Sequence, residues 1–222
     1  MSIVLQSTRN IKVNNLKLVV YGPAKIGKTR LAINAPNPVV ISTEKGLLSL
    51  RKENIPYIQV DDLKELADAY NWMTKSSEAK QFKTFFFDSI SDLGEVVLGH
   101  EKKTNRNGQK AYGNTNDTIM QIFRDFRDID KHVIFIAKEM LYQGANNLQC
   151  VPPTMPDQYL TGQLPYMFDG ILHYENLLYN GAWYQVLRCK QNEQVTAGDR
   201  SGTLDEFEEP HLGKLFNKIA KG

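Results

Sequence analysis

Leu16-Lys17-Leu18-Val19-Val20-Tyr21 runs straight into Gly22-Pro23-Ala24-Lys25-Ile26-Gly27-Lys28-Thr29, with Arg30 next. A short apolar, β-branched run, a glycine-bounded octet and then a helical pattern predict a strand, a loop and a helix start. The octet fits GxxxxGK[ST], and each part has a chemical reason. Glycines let successive backbone N–H groups turn inward onto phosphate oxygens at a helix N-terminus. The Lys28 ammonium neutralises β and γ phosphates, and the Thr29 hydroxyl ligates Mg2+. Residues 22–30 are therefore the expected nucleotide cradle.

Outward from this loop the chain alternates strand and helix patterns. Pro38-Val39-Val40-Ile41-Ser42 and Tyr57-Ile58-Gln59-Val60 read as strands. Asp61-Asp62 is placed to cap a helix carrying Leu63, Leu66, Ala67, Tyr70 and Met73. Lys83 to Asp88 and His132 to Ala137 are further strands, so the fold class is α/β, a mostly parallel sheet with helices on its faces. Gly170 to Glu175 and Trp183 to Arg188 flank Asn180-Gly181, a hairpin signal that adds an antiparallel extension at the C-terminal end. Two stretches, Lys103 to Asp117 and Tyr142 to Gln158, are rich in Asn and are expected to be long functional loops.

A phosphate loop needs a second acid for Mg2+, at the end of a neighbouring apolar strand. Asp88, closing Phe85-Phe86-Phe87, is that residue. Glu44 follows the strand ending at Ser42, at the sheet end where ligands bind, and is the candidate to activate water. The alternative is a capping carboxylate for a helix starting at Lys45.

Composition narrows the class. The chain has 222 residues, 41% hydrophobic and 23% charged, enough for a self-sufficient core in one ordinary domain. Cys150 and Cys189 are far apart without His at ligand spacing, which argues against zinc and disulfide frameworks and for a reducing cytoplasm. No apolar run reaches membrane-span length, and no signal-peptide layout opens the chain. The net charge is only +2, but residues 1–43 contain cations and no acid, whereas Asp205, Glu206, Glu208 and Glu209 cluster near the other end. Head-to-tail contact between copies is one reading of that asymmetry, and an unrelated solvated loop is the other.

The phosphate loop, Glu44 at the tip of the next strand, Asp88-Ser89 after an aromatic run and Val133-Ile134-Phe135-Ile136-Ala137-Lys138 together resemble the RecA-like P-loop core ATPases. With Gly198-Asp199-Arg200-Ser201-Gly202 and Glu208-Glu209-Pro210, the chain looks most like the small phage ATP-binding proteins of the single-strand-annealing recombinase type. The resemblance implies a single ATPase domain over 16–222 after a basic N-terminal segment, 1–15, that serves as an oligomerisation arm. It implies ATP and Mg2+ as cofactors, with Glu44 activating water and Lys138 in the γ-phosphate sensor position, where such recombinases usually carry Gln. It further implies assembly as a ring or filament on single-stranded DNA, alongside a single-strand DNA-binding protein, in phage recombination or replication in the host cytoplasm. A neighbouring subunit then donates Lys190 or Arg200 to the transferring phosphate. By position, two segments face the DNA: one offers Lys102, Lys103, Arg106, Lys110 and Tyr112, the other Tyr142, Gln143, Asn146, Asn147 and Gln149. Cations with an aromatic suit backbone neutralisation and base stacking. A solvated charged loop is the plainer alternative.

Two other function classes compete. A nucleotide kinase needs a lid with several arginines, which these loops lack. A nucleotide-gated module such as a helicase loader, with slow hydrolysis, is compatible with Lys138.

Overall fold

The computed structural model describes residues 15–143, 149–150 and 152–222, with 5 and 7 besides. Its strands are β1 (Lys17–Gly22), β2 (Pro38–Ser42), β3 (Tyr57–Gln59), β4 (Thr84–Asp88), β5 (His132–Lys138), β6 (Tyr142–Gln143), β7 (Gln149–Cys150), β8 (Gly170–Tyr179), β9 (Ala182–Arg188), β10 (Gly198–Asp199) and β11 (Phe207–Glu208). The helices are α1 (Leu63–Lys75), α2 (Ile90–Thr104), α3 (Gly108–Arg127), α4 (Gln158–Met167) and α5 (Leu212–Lys221).

One nine-stranded sheet has the order β11-β9-β8-β1-β5-β4-β2-β3, with β10 beside β8. From β8 to β3 the neighbours are parallel, and β9 returns antiparallel along β8. β5 thus sits between the phosphate-loop strand β1 and the Asp88 strand β4, in the mostly parallel α/β sheet with an antiparallel C-terminal extension that the sequence predicts. The central strands are buried end to end because helices cover both faces. One face packs Phe87, Phe123, Phe126, Phe135 and Phe168 under α1 to α4. The other packs Leu18, Val20, Phe86 and Ile134 under α5 and the turn after the phosphate loop.

Local chemistry accounts for the boundaries. Asp62 caps α1 by accepting from Glu65 N–H at 2.8 Å. Ala69, not Ala67, joins Leu66 and Met73 in the core. Asn180 and Gly181 have φ of 49° and 78°, both left-handed as a two-residue hairpin turn requires. Two expectations need correction. The stretch after the phosphate loop is a seven-residue 3-10 segment, Lys28–Asn34, rather than an α-helix. Lys103 to Asp117 is not a loop: α2 continues to Thr104 and α3 restarts at Gly108, capped by Asn107. Within the chain the acidic cluster is paired: Lys218 with Asp205 and Glu208, Arg188 with Glu206, and Lys214 with Glu209.

Among the described residues, no helix is long and apolar enough to cross a membrane. Most of the basic segment 1–15 lies outside the described residues, as do Asn146 and Asn147.

Candidate nucleotide site

The loop Gly22–Arg30, Glu44, Asp88, Ser89, Lys138 and Glu139 line one cavity at the C-terminal ends of β1, β2, β4 and β5. Two glycines make the loop possible. A Cβ on Gly22 would lie 2.4 Å from the Tyr174 carbonyl oxygen, and Gly27 sits at φ 111°. β8 and β9 brace the loop from one side: Gln185 donates to the Ile26 carbonyl at 2.9 Å and accepts from the Tyr174 hydroxyl at 3.2 Å.

Lys28 Nζ donates to the carbonyls of Gly22 and Pro23, each at 2.7 Å, so the ammonium is folded back onto its own loop. Burial lowers its pKa, with Asp88 and Glu139 pulling the other way. The Thr29 hydroxyl donates to Asp88 Oδ2 at 2.6 Å. Asp88 is 3% exposed, and burial raises its pKa against that bond and Lys28. A buried carboxylate touching a threonine hydroxyl beside a phosphate cradle is a hard-oxygen pair of the kind Mg2+ takes. These two residues fit the ion that the sequence implies.

Glu44 caps no helix. The short 3-10 turn beyond it begins at Leu47 with Gly46 at its N-cap and no side-chain cap bond. Glu44 Oε1 instead lies 3.2 Å from Lys138 Nζ, which also reaches Asp92 Oδ1 at 2.5 Å. Burial raises the Glu44 pKa, and a hydrogen bond with Asp92 adds to that while Lys138 opposes it. Burial also disfavours ionisation of Asp92, but hydrogen bonds from Lys138, Ser89 and Glu44 outweigh it and lower its pKa. The two carboxyls thus share one ammonium, with the proton-holding tendency on Glu44. Asp92 and Glu139 were not among the residues expected from sequence. Asp92 sits one helical turn past Asp88, a weak signal in itself, and Glu139 directly follows Lys138.

The remaining candidates lie in different places. Lys102 and Lys103 in the last turn of α2, Arg106, and Lys110 in the first turn of α3 are exposed together at the α2–α3 turn. Lys102 Nζ stands 5.2 Å from the centroid of the Tyr112 ring, which is 38% exposed. Tyr142 and Gln143 form β6, paired with Cys150 and Gln149 in a two-stranded sheet apart from the main one. Arg200 is far from its own phosphate loop. Its N–H bonds the Asp169 carbonyl at 2.8 Å, and Asp169 Oδ2 accepts from the backbone of Lys17, the first residue of β1. Lys190 follows β9, which runs towards that same end of the sheet. Neither cation reaches the pocket of its own chain.

The model of a family described as AAA domain matches residues 14–201. Among solved structures, the chain is similar to the flagellar accessory protein FlaH of Methanocaldococcus jannaschii, with 14% identity over 78% of this chain and 76% of that one and a TM-score of 0.43. It is also similar to a KaiC-like protein of Pyrococcus horikoshii, with 11% identity over 83% of each chain and a TM-score of 0.48. No curated protein matches the chain.

Proposed function

We propose that this chain, which belongs to the AAA domain family, hydrolyses ATP with Mg2+ while assembled on single-stranded DNA, and promotes annealing or strand pairing there. One observation carries the enzymatic part: Lys28, Thr29, Asp88 and Glu44 converge on one cavity at the end of a parallel sheet. Each has a distinct task. Backbone N–H groups of the loop beyond Pro23 bind the phosphates, and Lys28 leaves the Gly22 and Pro23 carbonyls for the β and γ oxygens, which compete better for a charge. Thr29 and Asp88 would hold the ion, which would supply charge screening and polarise the γ-phosphoryl group. Glu44, whose pKa burial raises, accepts the proton of the attacking water once Lys138 turns from it towards the phosphate.

The DNA part is supported by the cations gathered at the α2–α3 turn with Tyr112 beside them, a combination that neutralises phosphates and stacks bases. Because Arg200 lies at the far end of the sheet from its own pocket and Lys190 does not line that pocket, either would serve the transferring phosphate from a neighbouring copy. A ring or a filament would bring them there.

The deciding experiment is phosphate release from ATP with and without single-stranded DNA, on the same preparation. Strong stimulation by DNA supports the whole reading, and DNA-independent turnover removes the DNA part. The Lys138 clamp on Glu44 favours a second reading, a nucleotide-gated module whose turnover is slow. Tight ATP binding with negligible hydrolysis in both conditions would select it.

A further inference from the structure

A series of paired polar and ionic side chains, mostly buried, leaves the nucleotide pocket and plays no part in the steps above. Glu139, on the pocket wall just past β5, has its Oε2 2.9 Å from His173 Nε2. The other ring nitrogen, Nδ1, lies 2.8 Å from Glu175 Oε2. Glu175 pairs with Arg188 at 2.9 Å, and Arg188 with Glu206 at 2.8 Å. The His173 and Arg188 side chains are only 8% and 12% exposed. Tyr21, the residue before the phosphate loop, rests its ring 4.8 Å from His173 and donates its hydroxyl to the Thr196 carbonyl at 2.8 Å.

Stability alone does not explain this series, since buried ion pairs are commonly matched or bettered by well-packed apolar side chains. What a run of mutually paired side chains does supply is fixed geometry. Each inner member, His173, Glu175 and Arg188, is held by two partners, so a change at one link is felt by the next. One terminus of the series is the Glu139 carboxylate, which acts electrostatically on Lys28, and its Arg188 lies on β9, the strand whose Gln185 braces the phosphate loop. We propose that Glu139 is a further functional carboxylate of the nucleotide site, that His173 is its positioning residue, and that Glu175 and Arg188 make its placement depend on the β8–β9 hairpin.

The inference rests on the ATP-hydrolysis reading, and the test separates the two. Calorimetric ATP binding and phosphate release are measured first on the unaltered protein. Absence of both there sinks that reading and this inference with it. Given turnover, Glu139→Gln and His173→Ala should each lower kcat by about 10- to 100-fold, the scale of a misplaced group. The KM for ATP should stay within about threefold, because ground-state phosphate contacts are untouched. His173→Gln, whose amide still donates towards Glu139, should restore much of the loss, which a merely structural role for the ring would not produce. Arg188→Gln, well outside the pocket, should lower kcat in the same direction. Ordinary kcat in Glu139→Gln overturns the proposal, as does a raised KM with unchanged kcat. Ordinary kcat in Arg188→Gln alone overturns the link to the hairpin. Should His173→Ala fail to fold, Glu139→Gln on the pocket wall and His173→Gln carry the same decision.

Discussion

Lys138 Nζ lies 3.2 Å from Glu44 Oε1, and the proposed hydrolysis predicts different phenotypes for Glu44 and Lys28. Lys28→Ala removes the charge that meets the β and γ phosphates, so hydrolysis should vanish and calorimetric ATP affinity should fall with it. Glu44→Gln leaves the cradle intact. ATP affinity should persist while turnover drops by roughly 100-fold or more, the usual worth of a general base. Collapse of binding in that variant would instead make Glu44 a structural residue. The nucleotide cradle was legible in the octet itself because backbone geometry, charge and hydroxyl all sit within eight residues. The Glu44–Lys138–Asp92 cluster was legible only in its first two members, each by its place after a strand. Asp92 owes its role to a contact with a side chain 46 residues away, which no local pattern records.

At the scale of elements, the α2–α3 pair departs furthest from what local propensity predicts. Asn105, Asn107, Gly108, Gly113 and Asn114 suggest a loop by propensity, yet Ala111, Thr115, Ile119, Phe123 and Phe126 recur at helical spacing and are buried. Tertiary packing overrides weak propensity here. Phe123→Ala, which removes a ring lying against Phe135 and Phe168, should cost about 3–5 kcal/mol in a denaturant melt. The turn between these helices gives a second prediction. Changing Lys102, Lys103, Arg106 and Lys110 to Ala should weaken single-stranded DNA binding and flatten its log-log salt slope by up to about 3. An unchanged slope would show that DNA runs elsewhere. At the start of β5, His132 stacks on Phe216 at 4.3 Å and accepts from the Leu16 N–H at 3.1 Å, so it is held neutral. Burial, aided by Lys17 and Lys83, lowers its pKa from 6.5 to about 4. Between those values the unfolded chain binds a proton that the folded chain refuses. The melting temperature should therefore fall as pH drops through that window, and His132→Gln should flatten that segment of the curve.

At the scale of the molecule, the strand order follows from sequence only in part. Apolar runs locate β1, β2, β4, β5 and the hairpin, but nothing in them says that β5 inserts between β1 and β4. That insertion is a property of the closed sheet. The same scale holds the test of shared sites. Glu44→Gln protein keeps its Arg200, and Arg200→Ala protein keeps its Glu44. Mixed assemblies should thus regain activity at contacts that pair one intact residue with the other, and no recovery in demonstrably mixed oligomers would remove the cation from the mechanism. The separation of Arg200 from its own phosphate loop, set by the Asp169 contact at the start of β1, has an arithmetic consequence. In an open row of copies the last pocket has no donor, so the working fraction rises with the length of the row, whereas a closed circle has no idle member. Turnover per copy is then a ruler: a value that climbs with assembly size marks an open row, and one that steps once to a plateau marks a circle.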